Sequence, residues 1–186
     1  MKIAITGHSQ AIGKAIADVY SGAGHDIKGF SRGYGYDISL PQDRHRIVSE
    51  VTDCDVFFNN AYDFEGGDAF AQTEMLFDIW QQWQGQHKTI VNISSSVTTR
   101  WDLNLMPPRY RTAKVSLETA AEYLWNKNQW PFVSVISPCL TRNPRTCNLI
   151  DRHICDPIDL ANMIYDVYQN SKFRVQVLKL ESLPSA

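Results

Sequence analysis

Six short apolar runs, separated by longer amphipathic stretches, constrain this chain more than any other feature of its sequence. The runs "KIAIT" (2–6), "DIKGF" (26–30), "DVFF" (55–58), "TIVNI" (89–93), "FVSVI" (132–136) and "FRVQVLKL" (173–180) read as strands. Helices are expected over 9–21, 42–52, 68–83, 109–128 and 157–170, where apolar residues recur at i, i+3 and i+4. Strands that alternate with helices form a parallel sheet covered on both faces, so the expected fold is α/β, a doubly wound parallel sheet, the architecture that a Rossmann-type dinucleotide turn would require. With 186 residues, 44% of them hydrophobic, the chain fills one core, and no repeat, linker or low-complexity tract divides it. Residues 1–186 are therefore expected to form a single domain.

Composition excludes several function classes. A formal charge of -2 without a basic stripe gives no reason to expect a nucleic-acid partner. Cys54, Cys139, Cys147 and Cys155 form no CxxC pair, and the five histidines form neither HExxH nor a cluster. Neither a metal site nor a disulfide frame is indicated, and the thiols are expected to be free. The chain opens directly into a strand and has no run long enough to span a membrane, which predicts a soluble, cytoplasmic protein.

The segment "ITGHSQAIGKAIA" (5–17) joins the first strand to the first helix and suits phosphate. A nucleotide triphosphatase loop needs Gly, four residues, then Gly-Lys-Ser/Thr, the hydroxyl serving magnesium. From Gly7 the next glycine, Gly13, comes one residue too late, and Ala15 follows Lys14 where a hydroxyl is required. Lys14 reads as a solvated helix residue. A dinucleotide turn needs only a helix whose free amides face a pyrophosphate, and "TGHSQAIG" fits that geometry.

Four segments, in order, resemble the short-chain dehydrogenase/reductase family. Thr6, Gly7 and Gly13 match its Thr-Gly-x-x-x-Gly-x-Gly turn, with Ala11 in place of the middle glycine. "NNA" (59–61) matches the start of Asn-Asn-Ala-Gly, with Tyr62 replacing the glycine. "VNISS" (91–95) ends a strand as in the family, and "YRTAK" supplies Tyr110-x-x-x-Lys114, one helical turn apart. The resemblance runs over nearly the whole chain. It implies that Gly7, Ser9, Gln10, Ile12, Gly13, Asn60 and Ala61 hold a dinucleotide together with Tyr110 and Lys114.

The end of the second strand meets the adenosine ribose in such folds, an acidic residue favouring NAD and an arginine NADP. Ser31 and Arg32 stand there without a following carboxylate, so NADP(H) is the expected cofactor. Asp37 and Ile38 resemble the family's adenine-contacting pair. Only residues 33–36 separate Arg32 from Asp37, so the family's helix between its second and third strands is expected to be missing. "SPCL" (137–140) resembles the element beside the nicotinamide carboxamide, which places Pro138 and Thr141 there and Cys139 where glycine is usual.

The implied chemistry is hydride transfer between nicotinamide and a small carbonyl or alcohol substrate. Tyr110 would exchange the hydroxyl proton, Lys114 would stabilise its phenolate and bind the ribose, and Ser95 would hold the substrate oxygen, with Ser94 and Ser96 as rivals. The family's catalytic asparagine has no counterpart in the 68–83 helix, where Gln72 is the nearest polar substitute. The stretch 139–156 is read as a substrate lid, and its Arg142, Arg145, Arg152 and His153 admit either an anionic substrate or a soluble surface. The family resemblance also implies a homodimer or homotetramer built on the 68–83 and 109–128 helices, with Trp80, Trp83, Tyr123 and Trp125 supplying contact area. A domain that binds NADP(H) as a sensor without turnover is the rival function.

Overall fold

The structure is a computed structural model that describes residues 1–64, 66–99, 106–127, 129–143, 146, 154–169 and 174–180. Its six strands are β1 (Lys2–Thr6), β2 (Asp26–Phe30), β3 (Val56–Asn59), β4 (Thr89–Ile93), β5 (Phe132–Ser137) and β6 (Val177–Lys179). They form one parallel sheet in the order β2-β1-β3-β4-β5-β6. The order reverses between β1 and β3, which opens a crevice at their carboxyl ends.

The central strands β1, β3, β4 and β5 divide their side chains between two cores. Ile3, Ile5, Phe58, Val91 and Ile136 pack under α1 (Ala11–Gly22) and α5 (Pro157–Gln169). Ala4, Phe57, Ile90, Val133 and Val135 pack under α2 (Pro41–Glu50), α3 (Ala71–Gln82) and α4 (Pro108–Asn126). The sheet is thus doubly wound.

Of the boundaries that move from their expected positions, those of α1, α3 and β6 have a local cause. Helix α1 starts at Ala11 because Ser9 belongs to the turn and Gln10, at the N-cap, is extended. The Asp68 carboxylate accepts from the Phe70 amide at 2.9 Å, a turn that delays α3 to Ala71. Strand β6 shrinks to three residues, since it is an edge that pairs only with Val135–Ser137 of β5. Asn128, Asn170 and Phe173, expected within these elements, lie outside the described residues.

Between β2 and Asp37 the chain makes a single 3-10 turn, Arg32–Tyr34, where the resemblance had suggested a missing helix. Asp37 and Ile38 therefore follow β2 in a loop, and β2 forms the sheet edge.

The expectation of free thiols fails for one pair. Cys139 and Cys155 form a disulfide, 16 residues apart, because Thr141 and Cys155 make a parallel bridge that draws the two segments together. The Cys155 amide donates to the Leu140 carbonyl at 2.8 Å and the Arg142 amide to the Cys155 carbonyl at 2.9 Å. Cys54 is buried and free, and Cys147 lies outside the described residues. No cluster of metal-ligating side chains and no helix able to cross a membrane occurs among the described residues.

Candidate active site

The turn after β1 is shaped by close approach. Gly7 takes φ +70°, and its amide donates to the Phe30 carbonyl at 2.7 Å, fastening the turn to the end of β2. A Cβ on Gly13 would overlap the Gly7 carbonyl and lie 2.6 Å from Asn60 Nδ2, so α1 can pack this closely only with glycine there. Ala11, at the position of the family's middle glycine, adopts φ +45°, a left-handed conformation that a side chain strains. Lys14 points away and pairs with Asp18 in solvent at 2.5 Å, as a surface residue does.

Beside the turn, the Thr6 hydroxyl accepts from the Asn60 and Ala61 amides at 2.9 and 3.1 Å. Asn60 Nδ2 donates back to the Thr6 carbonyl at 3.0 Å, so this asparagine braces the crevice between β1 and β3. A cleft of about 410 Å³ runs from the turn to α4. Gly7, Ser9, Gln10, Ile12, Ser31, Arg32, Asp37, Ile38, Asn60, Ala61, Tyr110 and Lys114 line it. Gly13, Ser95, Pro138 and Thr141 do not. Gly13 supports the turn from behind, the Pro138 carbonyl accepts from the Ser96 amide at 2.9 Å, and the Thr141 hydroxyl donates to the Cys139 carbonyl at 2.9 Å.

Lys114 is buried on α4, and its ammonium donates to Gln72 Oε1 at 2.7 Å and to the Ile93 carbonyl at 2.8 Å. Burial pushes it down to about 7, against the pull of Glu118. Gln72 is held in turn: its amide donates to the Asn59 carbonyl at 2.6 Å and to the Ile93 carbonyl at 3.0 Å. Gln72 thus takes a defined polar place against the lysine.

Tyr110 departs from the expected activation. Burial pushes its phenol up to about 12, and the Ser95 side chain opposes that rise. The Lys114 ammonium, 5.5 Å from the Tyr110 ring centre, gives its protons to Gln72 and Ile93 and does not offset that burial. The neutral phenol is the form that can donate a proton to a carbonyl oxygen. Among the rival serines, Ser94 donates to Glu118 Oε1 at 2.6 Å, a carboxylate that also receives the Thr98 and Ser137 hydroxyls. Ser95 caps a short 3-10 turn through the Val97 amide at 3.3 Å and is the serine that acts on Tyr110.

Several cleft residues escaped the sequence reading. Tyr62 packs edge-on against Tyr110 with centres 4.8 Å apart, and Phe64 stacks on the same ring at 5.1 Å. Asp63, buried at 6% exposure, meets Arg32 Nη2 at 2.5 Å, while Asp37 takes Arg32 Nε at 2.8 Å. No carboxylate stands at the end of β2 itself, but among the described residues two reach Arg32. Its proximity to "NNA" was the available signal for Asp63. Phe30, Tyr36, Ile93 and Asn143 also line the cleft. Of the basic lid, Arg142 is described, whereas Arg145, Arg152 and His153 lie outside the described residues.

No protein-family model and no curated protein sequence matches this chain. Solved structures do. A 3-ketoacyl-(acyl-carrier-protein) reductase from Brucella melitensis complexed with NADH is similar at TM-score 0.75 and 17% identity, over 96% of each chain. A 3-alpha-hydroxysteroid dehydrogenase from Pseudomonas sp. B-0831 complexed with NADH is similar at 0.73 and 18%, over 97% of this chain and 95% of that one. A short-chain dehydrogenase from Sphingobium yanoikuyae in complex with NADPH reaches 0.69 at 15%, over 96% and 87%. At these identities the likeness establishes the architecture.

Proposed function

Starting from a fold of the short-chain dehydrogenase/reductase type, we propose that this protein is an oxidoreductase that moves hydride between a nicotinamide dinucleotide and a small carbonyl or alcohol substrate. The observation that carries this reading is that Tyr110 and Lys114 line the same cleft as the Gly7 turn, so the proton donor lies at the far end of a phosphate-holding crevice. Gly7, Ser9, Gln10 and Ile12 would hold the pyrophosphate at the start of α1, with Gly13 permitting the approach. Ser31, Arg32, Asp37 and Ile38 would meet the adenosine. Asn60, Ala61 and Lys114 would border the nicotinamide half, with Pro138 and Thr141 behind the cleft wall.

The bound nicotinamide supplies the hydride or accepts it. Tyr110 gives its proton to the substrate oxygen in reduction, and Ser95 acts on that phenol from behind the cleft wall, while Ser94 is the serine that lines the cleft. Lys114 binds the ribose and favours phenolate once its ammonium shifts toward Tyr110. NADP(H) is preferred through Arg32: Asp37, its more exposed partner, yields to the 2′-phosphate.

The second reading, a dinucleotide sensor without turnover, is supported by the covered face of Tyr110 and the commitment of Lys114 to Gln72. A panel of aldehydes and ketones followed by NADPH absorbance separates the two. Turnover of any member supports the enzyme; micromolar NADPH binding with no turnover across the panel supports the sensor. Absence of binding by either NADPH or NADH overturns both. The protein acts, on this reading, as a cytoplasmic homodimer or homotetramer joined through α3 and α4.

A further inference from the structure

We propose that Asp63 is a cofactor-specificity residue, which sets through Arg32 how strongly the adenosine end of the cleft accepts a 2′-phosphate over a 2′-hydroxyl. The inference rests on reading the cleft as a dinucleotide site. Arg32, Asp37 and Asp63 all line it, with Arg32 following Ser31 just beyond the end of β2. The Asp63 carboxylate is nearly inaccessible, with 2% of its side chain exposed. One oxygen receives Arg32 Nη2 at 2.5 Å, and the other receives the Gly67 amide at 2.5 Å.

The three side chains carry one positive and two negative charges. A guanidinium so matched has less attraction left for a phosphate than the sequence alone suggests. The two carboxylates are not equivalent. Asp37 is 27% exposed in its side chain and can turn to water, whereas Asp63 would be left buried without its cation. Arg32 is therefore expected to stay on Asp63 while it meets the ligand, so that Asp63 limits, through the guanidinium it holds, the attraction offered to a 2′-phosphate.

The probes are 2′,5′-ADP and 5′-AMP, which differ at the 2′ position and involve neither Tyr110 nor Lys114. Calorimetry gives their affinity ratio in wild type, Asp63→Asn, Arg32→Ala and the double variant. Asp63→Asn keeps the shape and an acceptor oxygen for Arg32 while removing the charge. The expected result is a shift of at least tenfold toward 2′,5′-ADP, absent when Arg32 is also replaced. Arg32→Ala, a change at a half-exposed position, should turn selectivity below that of wild type by removing the guanidinium that meets the phosphate. An unchanged ratio in Asp63→Asn, or a shift that persists without Arg32, overturns the proposal. If Asp63→Asn does not fold, an Arg32→Ala ratio equal to wild type overturns it. Wild type that binds neither nucleotide removes the dinucleotide reading itself, a result distinct from an unchanged ratio.

Discussion

Lys114 Nζ stands 2.7 Å from Gln72 Oε1, and this contact joins α4 to α3 beneath the floor of the cleft. The same glutamine donates to the Asn59 and Ile93 carbonyls, so its oxygen is held toward the lysine. A hydrogen bond to a charged group is worth about 1.5–3 kcal/mol, so Gln72→Met should lower kcat/KM by roughly 10- to 100-fold. Steady-state kinetics with a responsive carbonyl compound measures it. Wild-type kcat/KM in Gln72→Met would show that the lysine does not need this acceptor.

Lys114 also predicts how stability depends on pH. Its folded value, about 7, lies below the ordinary lysine value of 10.5, so between these values the unfolded chain binds more protons than the folded one. The contribution of this group is therefore a stability that rises with pH from about 7 to about 10.5, with a slope of at most about 1.4 kcal/mol per pH unit. Denaturant melts of wild type and Lys114→Met across pH 6.5 to 9.5 should differ in slope, the variant being flatter. Parallel curves would refute the buried-ammonium account.

The turn offers a third test. A methyl group at residue 13 would overlap the Gly7 carbonyl, which belongs to the backbone and has little room to move. Gly13→Ala should therefore destabilise the protein by about 1–3 kcal/mol and weaken NADPH binding, whereas Ala11→Gly should stabilise the turn by about 1 kcal/mol through its positive φ. Thermal melts and calorimetry read both.

The exposed faces of α3 and α4 carry a fourth. Tyr123 is 59% exposed, with Phe77 and Val115 also open to solvent, while Trp83 is fully buried against Phe57 and cannot serve the contact that its sequence position suggested. Trp80 packs partly against the core. Sedimentation should show a dimer or tetramer that Tyr123→Glu dissociates by tenfold or more in Kd, since a charge in an apolar contact is costly. A monomer at tens of micromolar wild type contradicts the association.

Local chemistry made most of the fold legible. Five of the strands align within a residue at each end with apolar runs, because strands buried on both faces must be apolar without interruption. The glycine turn and the Tyr110–Lys114 spacing were legible for the same reason: each is a short-range requirement. What stayed hidden depends on contacts far apart in sequence. The Arg32–Asp63 pair joins positions 31 residues apart, and the Cys139–Cys155 disulfide follows from a bridge that no cysteine spacing announces. The burial that raises the Tyr110 phenol was not legible either, since sequence gives the lysine's place on the helix but not the partners that take its protons.

The phenol of Tyr110 carries the final prediction. Its ring lies between Tyr62, Phe64 and Lys114, which fix its position independently of the hydroxyl. Tyr110→Phe preserves those ring contacts and removes only the proton donor, so NADPH affinity should stay within about twofold while turnover falls by 10² to 10⁴ or more. Because burial raises the phenol to about 12, the wild-type acid remains protonated across the neutral range, and carbonyl reduction should not lose activity through this group between pH 6 and 9. Lys114→Ala should weaken binding and turnover together. Single-turnover reduction at saturating NADPH isolates the chemical step, and a Tyr110→Phe variant that matches wild type there would exclude this tyrosine as the acid.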